Sequence, residues 1–288
     1  MEKQRVLPIK SGLNFRELGG YSTKDGKTIK WQKLLRSGYL SVLTKEDKHY
    51  LSDYGLRYDV DLRSDYEISR NPDPHIPEMV QVTASIYPFT TQQPSSIKRW
   101  LKHLFHKETH EPSMLSDPYQ LMVLDNHAQT AFKKLFQVLL KNDQPDESVV
   151  FHCSAGKDRT GIAAFLVLSA LGVPQETIEN DYLLSNQVLF GKMPSLKSAT
   201  ATKNTALDRM NQARNVNLQS LHLAEQAIET SYQGITNYLH EAMNLSDEDL
   251  NQLKELYTEQ KKVGLCQIVL VEILNGTFTS VNVLFVYS

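Results

Sequence analysis

Apolar positions along this chain switch between two periods. Leu56-Arg57-Tyr58-Asp59-Val60-Asp61-Leu62 alternates and predicts a strand half-turned to a core. Met79 to Ser85 and Leu34-Leu35-Arg36 have the same character. Thr44 stands before a helical run and is its predicted N-cap. From Tyr119 to Lys141 the period lengthens: Phe132, Leu135, Phe136, Leu139 and Leu140 fall at i, i+3, i+4, i+7 and i+8, which predicts one helix. Asn142 to Asp146 closes it, and Ser148–His152 is a short apolar strand. Beyond it, Ile162 to Leu168 is apolar on nearly every side, as in a helix packed within a core. Gly172-Val173-Pro174 ends that helix and Pro174 opens the next. Leu218 to Met243 and Ser246 to Gln260 are again helical, the last with Ser246 as N-cap and an acidic first turn. Gly20-Tyr21 and Thr28-Ile29 flank Lys24-Asp25-Gly26-Lys27, a hairpin turn. The mixture predicts an α/β fold: a central, mainly parallel sheet flanked by helices.

Between the Ser148–His152 strand and the buried helix, expected to open at Gly161, lies His152-Cys153-Ser154-Ala155-Gly156-Lys157-Asp158-Arg159-Thr160-Gly161. Strand, loop and helix N-terminus together form a site for an anion, because successive backbone N–H groups and the helix dipole converge on one point. Ser154, Ala155, Gly156, Lys157, Asp158 and Arg159 are its candidate phosphate-binding residues, with the Arg159 guanidinium able to fork around two oxygens. Cysteines become nucleophilic at helix N-termini beside cations. Cys153 is therefore the candidate nucleophile and would form a phosphocysteine that water later hydrolyses. Thr160 could donate to the sulfur and ease its departure. Gly156 lets the backbone fold close to the phosphate.

Cys-x5-Arg-Thr-Gly preceded by His is the signature that the protein tyrosine phosphatase superfamily carries. The fuller loop resembles the bacterial tyrosine phosphatases with an Ala-Gly-Lys-Asp-Arg loop. Asn14-Phe15-Arg16-Glu17-Leu18-Gly19-Gly20, Arg36-Ser37-Gly38, Asp61-Leu62-Arg63 with Glu67 after it, and Asp181-Tyr182-Leu183-Leu184 match that group too, in the expected order, over roughly residues 10 to 260. The resemblance implies a cysteine-phosphatase fold with a helical lid, activity on phosphotyrosine, and in some members on phosphoserine, phosphothreonine or phosphoinositides. It implies no cofactor and no metal. It also assigns the general acid to Asp158. No Trp-Pro-Asp loop occurs. Asp61, at the carboxyl end of its strand, is the alternative acid or the group that orients Arg159. His152 and Arg16 are supporting candidates, the latter reaching the site or serving as a brace. Lys157 could meet an extra phosphate of an inositol lipid, or support the thiolate. Rival readings are a phosphate-binding module without turnover and a rhodanese-type sulfurtransferase, which usually has a shorter loop.

Composition narrows the partners. With 288 residues, 41% hydrophobic, and a net charge of −2, the chain suits one sizeable core, and nothing in it suggests nucleic-acid binding or attraction to an anionic membrane. Expected partners are thus a phosphorylated protein or a phosphoinositide. Cys153 and Cys266 give no disulfide framework. A reactive thiol needs a reducing compartment, the opening Met1 to Pro8 has no apolar core of signal-peptide length, and no run of about 18 apolar residues marks a membrane span; the expected location is cytoplasmic. Residues 1–262 read as one phosphatase domain, with lid-like segments near 88–118 and 191–217. Within the first, His103, His106 and His110 share a helix face without a ligand to complete a metal site. Residues 263–288 are an atypical apolar extension, where Asn275-Gly276 between β-branched runs signals a hairpin.

Overall fold

The computed structural model describes residues 3–87, 117–190 and 215–261, together with the backbone of 266–274 and 277–285. His103, His106 and His110 and nearly all of both lid-like segments lie outside the described residues.

Five strands form the central sheet: β1 (Arg16–Glu17), β3 (Leu34–Ser37), β4 (Leu56–Asp61), β5 (Val80–Thr83) and β6 (Ser148–His152). Their order is β1-β3-β6-β4-β5. Only β1 runs antiparallel; β3, β6, β4 and β5 are parallel neighbours. A mixed α/β fold with a mainly parallel sheet is thus what the alternating patterns produce. The period of two sorts side chains onto two cores. Val149 and Phe151 of β6 join Leu34, Tyr58 and Val60 on one face, while Val150 joins Leu35 and Leu56 on the other. Leu56 lies opposite Tyr58 despite the even spacing because the β4–β6 register shifts between them.

The larger core packs beneath α4 (Asn126–Lys141) and α5 (Arg159–Ala170). Within α5 every residue except Ser169 is buried, as its all-round apolar pattern requires. α1 (Lys45–Asp53) covers the smaller core, and α2 (Asp65–Arg70) follows β4. Thr44 caps α1 through a full capping box with Asp47.

Two long helical patterns are interrupted. The run from Tyr119 divides into α3 (Pro118–Leu124) and α4 at Asp125, whose backbone is extended and whose carboxylate accepts from the N–H groups of His127 (3.0 Å) and Ala128 (3.2 Å). A short acidic side chain prefers capping to continuing a helix. The run from Leu218 divides into α7 (Leu218–Tyr232) and α8 (Ile235–Glu241), with Gln233 at φ 59° and Gly234 at φ 126° between them. α5 begins two residues before the expected Gly161, with Asp158 in the N-cap position. α6 (Gln175–Phe190) starts directly after Pro174. α9 (Asp247–Tyr257), capped by Ser246, stops at Tyr257, and Thr258–Gln260 become β7, paired with β2 (Lys27–Ile29). The Gly20–Ile29 turn closes by Gly20 N–H to Ile29 O (2.7 Å) and Ile29 N–H to Tyr21 O (2.9 Å). Near the C-terminus, β8 (Cys266–Leu274) and β9 (Thr277–Phe285) pair antiparallel in continuous register around residues 275–276.

Because four strands are parallel, their carboxyl ends lie along one edge. The segments leaving β3, β4, β5 and β6 therefore gather there: Gly38-Tyr39, Leu62-Arg63-Ser64, Ala84 to Tyr87, and Cys153 to Asp158. Crevices of open α/β sheets form at that edge.

Candidate active site

Cys153 follows the central strand β6 directly and is buried, 2% exposed. The loop after it is held from below. The carbonyl oxygen of Ser154 accepts from Tyr39 N–H (3.1 Å), and that of Gly156 accepts from Asn14 Nδ2 (2.7 Å) and Arg36 Nη2 (3.0 Å). In a trans peptide the next N–H points the opposite way. Fixing these carbonyls against Asn14, Arg36 and Tyr39 turns the amides of Ala155 and Lys157 to the other side. Gly156 has φ +67°, and a Cβ there would come within 2.4 Å of the Ser37 carbonyl. Only glycine fits this close approach.

A buried charge group explains three of the flanking motifs. Asp181 on α6 accepts from Arg16 Nε (3.1 Å) and Arg36 Nη1 (2.5 Å), and all three residues are at most 1% exposed. Burial and the neighbouring Arg36 lower Arg16 to about 10, while Asp181, which burial alone would raise, is held at about 2 by the two guanidinium groups. Arg16 thus spends its guanidinium on Asp181, Asn14 and Ser185. Tyr182, next in the chain, packs its ring on Gly161, where a Cβ would stand 2.6 Å from a ring carbon.

Arg159 opens α5 and is bound end-on by Glu67, with Nη1 to Oε2 at 2.7 Å and Nη2 to Oε1 at 2.8 Å. Ser154 Oγ also donates to Glu67 Oε1 and accepts from Arg159 Nη2 (3.2 Å). Burial alone would raise Glu67, but the Arg159 charge and these hydrogen bonds leave it well below the ordinary carboxylate range. Glu67 is placed by helix geometry: it is the third residue of α2, locked in a capping box with Ser64. The sequence singled out Asp61 for orienting Arg159. Asp61 instead grips Arg63 through Nε and Nη2 (2.9 and 2.7 Å). The reason is local: Arg63 is two residues from Asp61 and its N–H also donates to it, whereas Glu67 stands on the helix that overhangs the loop. Nothing in periodicity marked Glu67; only its place in the matched Asp-Leu-Arg motif did.

His152 is fully buried, with Nδ1 3.2 Å from the Cys153 carbonyl oxygen and Nε2 3.1 Å from Asp59 and 3.2 Å from Asp73. Burial opposes a charged ring, yet Asp59, Asp73 and Asp61 raise it well above an ordinary histidine. Asp59, Asp73 and His152 could hold a metal ion by spacing, as could Glu179, His222 and Glu225 between α6 and α7. Thr160 is buried, and its hydroxyl makes no hydrogen bond among the described residues, to the sulfur included.

Asp158 lies between two partners. Tyr119, in the first turn of α3, donates its hydroxyl to Oδ1 at 2.5 Å, and Lys157 Nζ is 3.8 Å from Oδ2. Burial raises Asp158 above the usual carboxylate value, against the pull of Lys157, Tyr119 and Arg159. Tyr87, following β5, brings its ring within 5.1 Å of the Arg159 guanidinium carbon. The Cys153 thiol, the Arg159 guanidinium, the Glu67 carboxylate and the buried Asp158 carboxyl thus lie on or against one loop.

Comparison with known proteins points to one family. A model described as a tyrosine phosphatase family matches residues 7–259. A protein of Cupriavidus necator named as a candidate tyrosine-protein phosphatase is 28% identical over 85% of each chain. A tyrosine-protein phosphatase of Nostoc commune is 34% identical over 55% of this chain and 50% of its own. A triple specificity protein phosphatase of Mycobacterium tuberculosis is 27% identical over 86% of this chain and 98% of its own. No helix among the described residues is long and apolar enough to cross a membrane.

Proposed function

Since this chain belongs to the tyrosine phosphatase family, we propose that it hydrolyses phosphotyrosine through a phosphocysteine intermediate, with relaxed specificity. The observation that carries the reading is the loop after a buried cysteine, held by its carbonyls against Asn14 and Arg36, with a guanidinium at its end fixed end-on by Glu67. A guanidinium has five N–H donors. Glu67 takes one from each terminal nitrogen and Ser154 Oγ another from Nη2, so the Nε–H and the second Nη1 hydrogen are the donors offered to phosphate.

In the first step the Cys153 sulfur attacks phosphorus, the bond to the ester oxygen breaks, and Asp158 gives its proton to the departing oxygen. In the second, water attacks phosphorus, Asp158 takes the water's proton, and the phosphorus–sulfur bond breaks to return the thiolate. Loop amides and Arg159 stabilise the charge on the equatorial oxygens in both steps. A carboxyl whose burial favours its protonated form suits the acid role at neutral pH. His152, Arg16 and Asp61 take no part in bond making; they brace the strand and loop. The mechanism uses no cofactor and no metal.

Relaxed specificity is supported by the triple specificity of the mycobacterial relative and by Lys157, a loop cation that could meet a second phosphate. Substrates are phosphorylated proteins and, secondarily, phosphoinositides. We place the reaction in a reducing, cytoplasmic setting, where a reactive thiol survives. Residues 1–262 would act as one domain, with 263–288 as an appendage. The test is para-nitrophenyl phosphate turnover by the wild type and by Cys153→Ser, with vanadate as inhibitor. Turnover that vanadate blocks and the substitution abolishes is expected. Phosphate binding with no turnover by the wild type would instead make this a binding module. Phosphate release from mono- and bisphosphorylated inositol lipids at the level of the blank would remove the lipid part alone.

A further inference from the structure

Tyr119 stands 34 residues before the cysteine, in a different helix, yet its hydroxyl reaches the carboxylate proposed as the acid. The contact is short, 2.5 Å from Oη to Asp158 Oδ1, and Tyr119 is 6% exposed. Asp117 caps α3 by accepting from Tyr119 N–H (2.9 Å), so the tyrosine's backbone is fixed as well. Its ring sits in the large core beside Met122 and Tyr182. A phenol in this place is not an incidental neighbour: its hydroxyl donates to one oxygen of one carboxylate, with the Tyr182 side chain beside it.

We propose that Tyr119 is a positioning residue for the general acid: by occupying Oδ1 it makes Asp158 present Oδ2 to the leaving oxygen, and it stabilises the carboxylate that proton transfer leaves behind. The inference rests on the assignment of Asp158 as acid.

Two consequences follow from hydrogen-bond chemistry. A carboxyl has two oxygens but only one proton. A donor already bound at Oδ1 excludes the proton from that side, so Oδ2 carries it. Asp158 is neutral before transfer and anionic after it, and a donor interacts more strongly with the anion. Tyr119 therefore contributes more in the transition state than in the ground state, which is the condition for speeding the chemical step. The same bond stabilises the carboxylate that accepts the water's proton in the second step.

The charged and titratable groups around Asp158 come from four elements. Lys157 and Arg159 lie on its own loop and helix, Tyr119 on α3, Tyr182 on α6, and Tyr87 after β5. The two cations favour the carboxylate and are unchanged by substituting Tyr119. Loss of the phenol donor therefore makes Asp158 a weaker acid, protonated to a higher pH.

The experiment compares wild type, Tyr119→Phe, Asp158→Asn and the double variant on aryl phosphates with good and poor leaving groups, across pH. For Tyr119→Phe, kcat/KM on the poor leaving group is expected to fall about 10- to 100-fold, the size of one hydrogen bond to a charged group. The good leaving group should be nearly unaffected, and the basic limb of the profile should move to higher pH. Adding Tyr119→Phe to Asp158→Asn should cost nothing further. Equal losses on both substrates, or an additional loss in the double variant with an unmoved pH limb, would mean that Tyr119 merely packs. If Asp158→Asn itself shows no leaving-group dependence, the acid assignment fails first, and that failure is read from a different variant.

Discussion

Replacing Glu67 by glutamine tests the electrostatic frame of the site most directly. The substitution keeps the side chain's shape and one acceptor oxygen, but removes the charge and one of two charge-assisted bonds to Arg159, at 2.7 and 2.8 Å. Arg159 is 9% exposed and the Glu67 side chain about a third, so solvent screens the pair only in part. Losing one partner of a fully buried pair costs about 3–5 kcal/mol; the partial exposure brings the figure to about 2–3 kcal/mol. If that energy holds Arg159 where phosphate meets it, kcat/KM falls by about 30- to 150-fold, at roughly tenfold per 1.4 kcal/mol. Ser154, which donates to the same carboxylate, loses its anchor as well.

The assay is steady-state hydrolysis of para-nitrophenyl phosphate with vanadate inhibition in parallel, and Asp61→Asn as the comparison. Asp61 binds Arg63 and not Arg159, so its variant should lose stability while vanadate affinity stays within about threefold. Glu67→Gln should weaken vanadate and slow turnover together. Because the folded-state Glu67 sits below its unfolded value, its contribution to stability is present above about pH 4.3 and fades as pH falls further; the Gln variant should lack that acid-side dependence. Turnover and vanadate affinity of Glu67→Gln within twofold of wild type would refute the reasoning, since Arg159 would then be oriented by something else.

Other perturbations probe the support beneath the loop. Gly156→Ala forces a Cβ to within 2.4 Å of the Ser37 carbonyl at φ +67°; turnover should drop by more than about 100-fold, roughly 3 kcal/mol of lost alignment, and a fully active Ala variant would show that the loop tolerates another path. Asp181→Asn leaves Arg16 and Arg36 buried with no counter-charge, and urea unfolding should show a loss of about 3–5 kcal/mol; a change under 1 kcal/mol would contradict the pairing. In the wild type, Asp181 at about 2 lies below the roughly 3.9 of an unfolded aspartate. Its contribution is therefore complete above about pH 4 and is lost as pH falls toward 2, a slope that Asp181→Asn should flatten. Asn14→Ala removes the shorter-range donor to the Gly156 carbonyl (2.7 Å) and should lower kcat/KM by about tenfold, the scale of one buried hydrogen bond, with Arg36 still holding the same oxygen.

Much of the central frame was readable from the chain, because it rests on local patterns that burial enforces. Alternation placed β4, a short apolar run placed β6, all-round apolarity marked α5, and Ser or Thr before an acidic turn gave the caps at Thr44 and Ser246. The errors share a cause. Asp125 and the Gln233-Gly234 pair interrupt helices whose apolar spacing continues through the break, and periodicity does not register a change of backbone angle. The Cys153–Arg159 loop was legible because its anion chemistry is contiguous. Its supports were not: Glu67 and Tyr119 reach the loop from 92 and 39 residues away, and Asp181 acts through Arg36, 145 residues before it. A single sequence carries no signal of which distant carboxylate meets which arginine. Asp61 drew attention by sitting on a strand end, whereas the group that binds Arg159 follows one turn into the next helix.

The charges beneath the loop add up in one direction. Arg16 and Arg36 share the single carboxylate of Asp181, so one positive charge remains buried under the Gly156 carbonyl. Burying it is costly unless something opposite in sign is near. That carbonyl supplies part of the compensation, as acceptor for Arg36 Nη2. Drawing the carbonyl down is the same act as turning the Lys157 amide up, because the two groups belong to one peptide plane. A phosphate dianion above the loop would supply the rest, through the polarised amide rather than by contact. If a phosphate dianion binds there, the two arginines on one carboxylate should link stability to anion affinity, and phosphate should raise the wild type's melting temperature more than that of Arg36→Met.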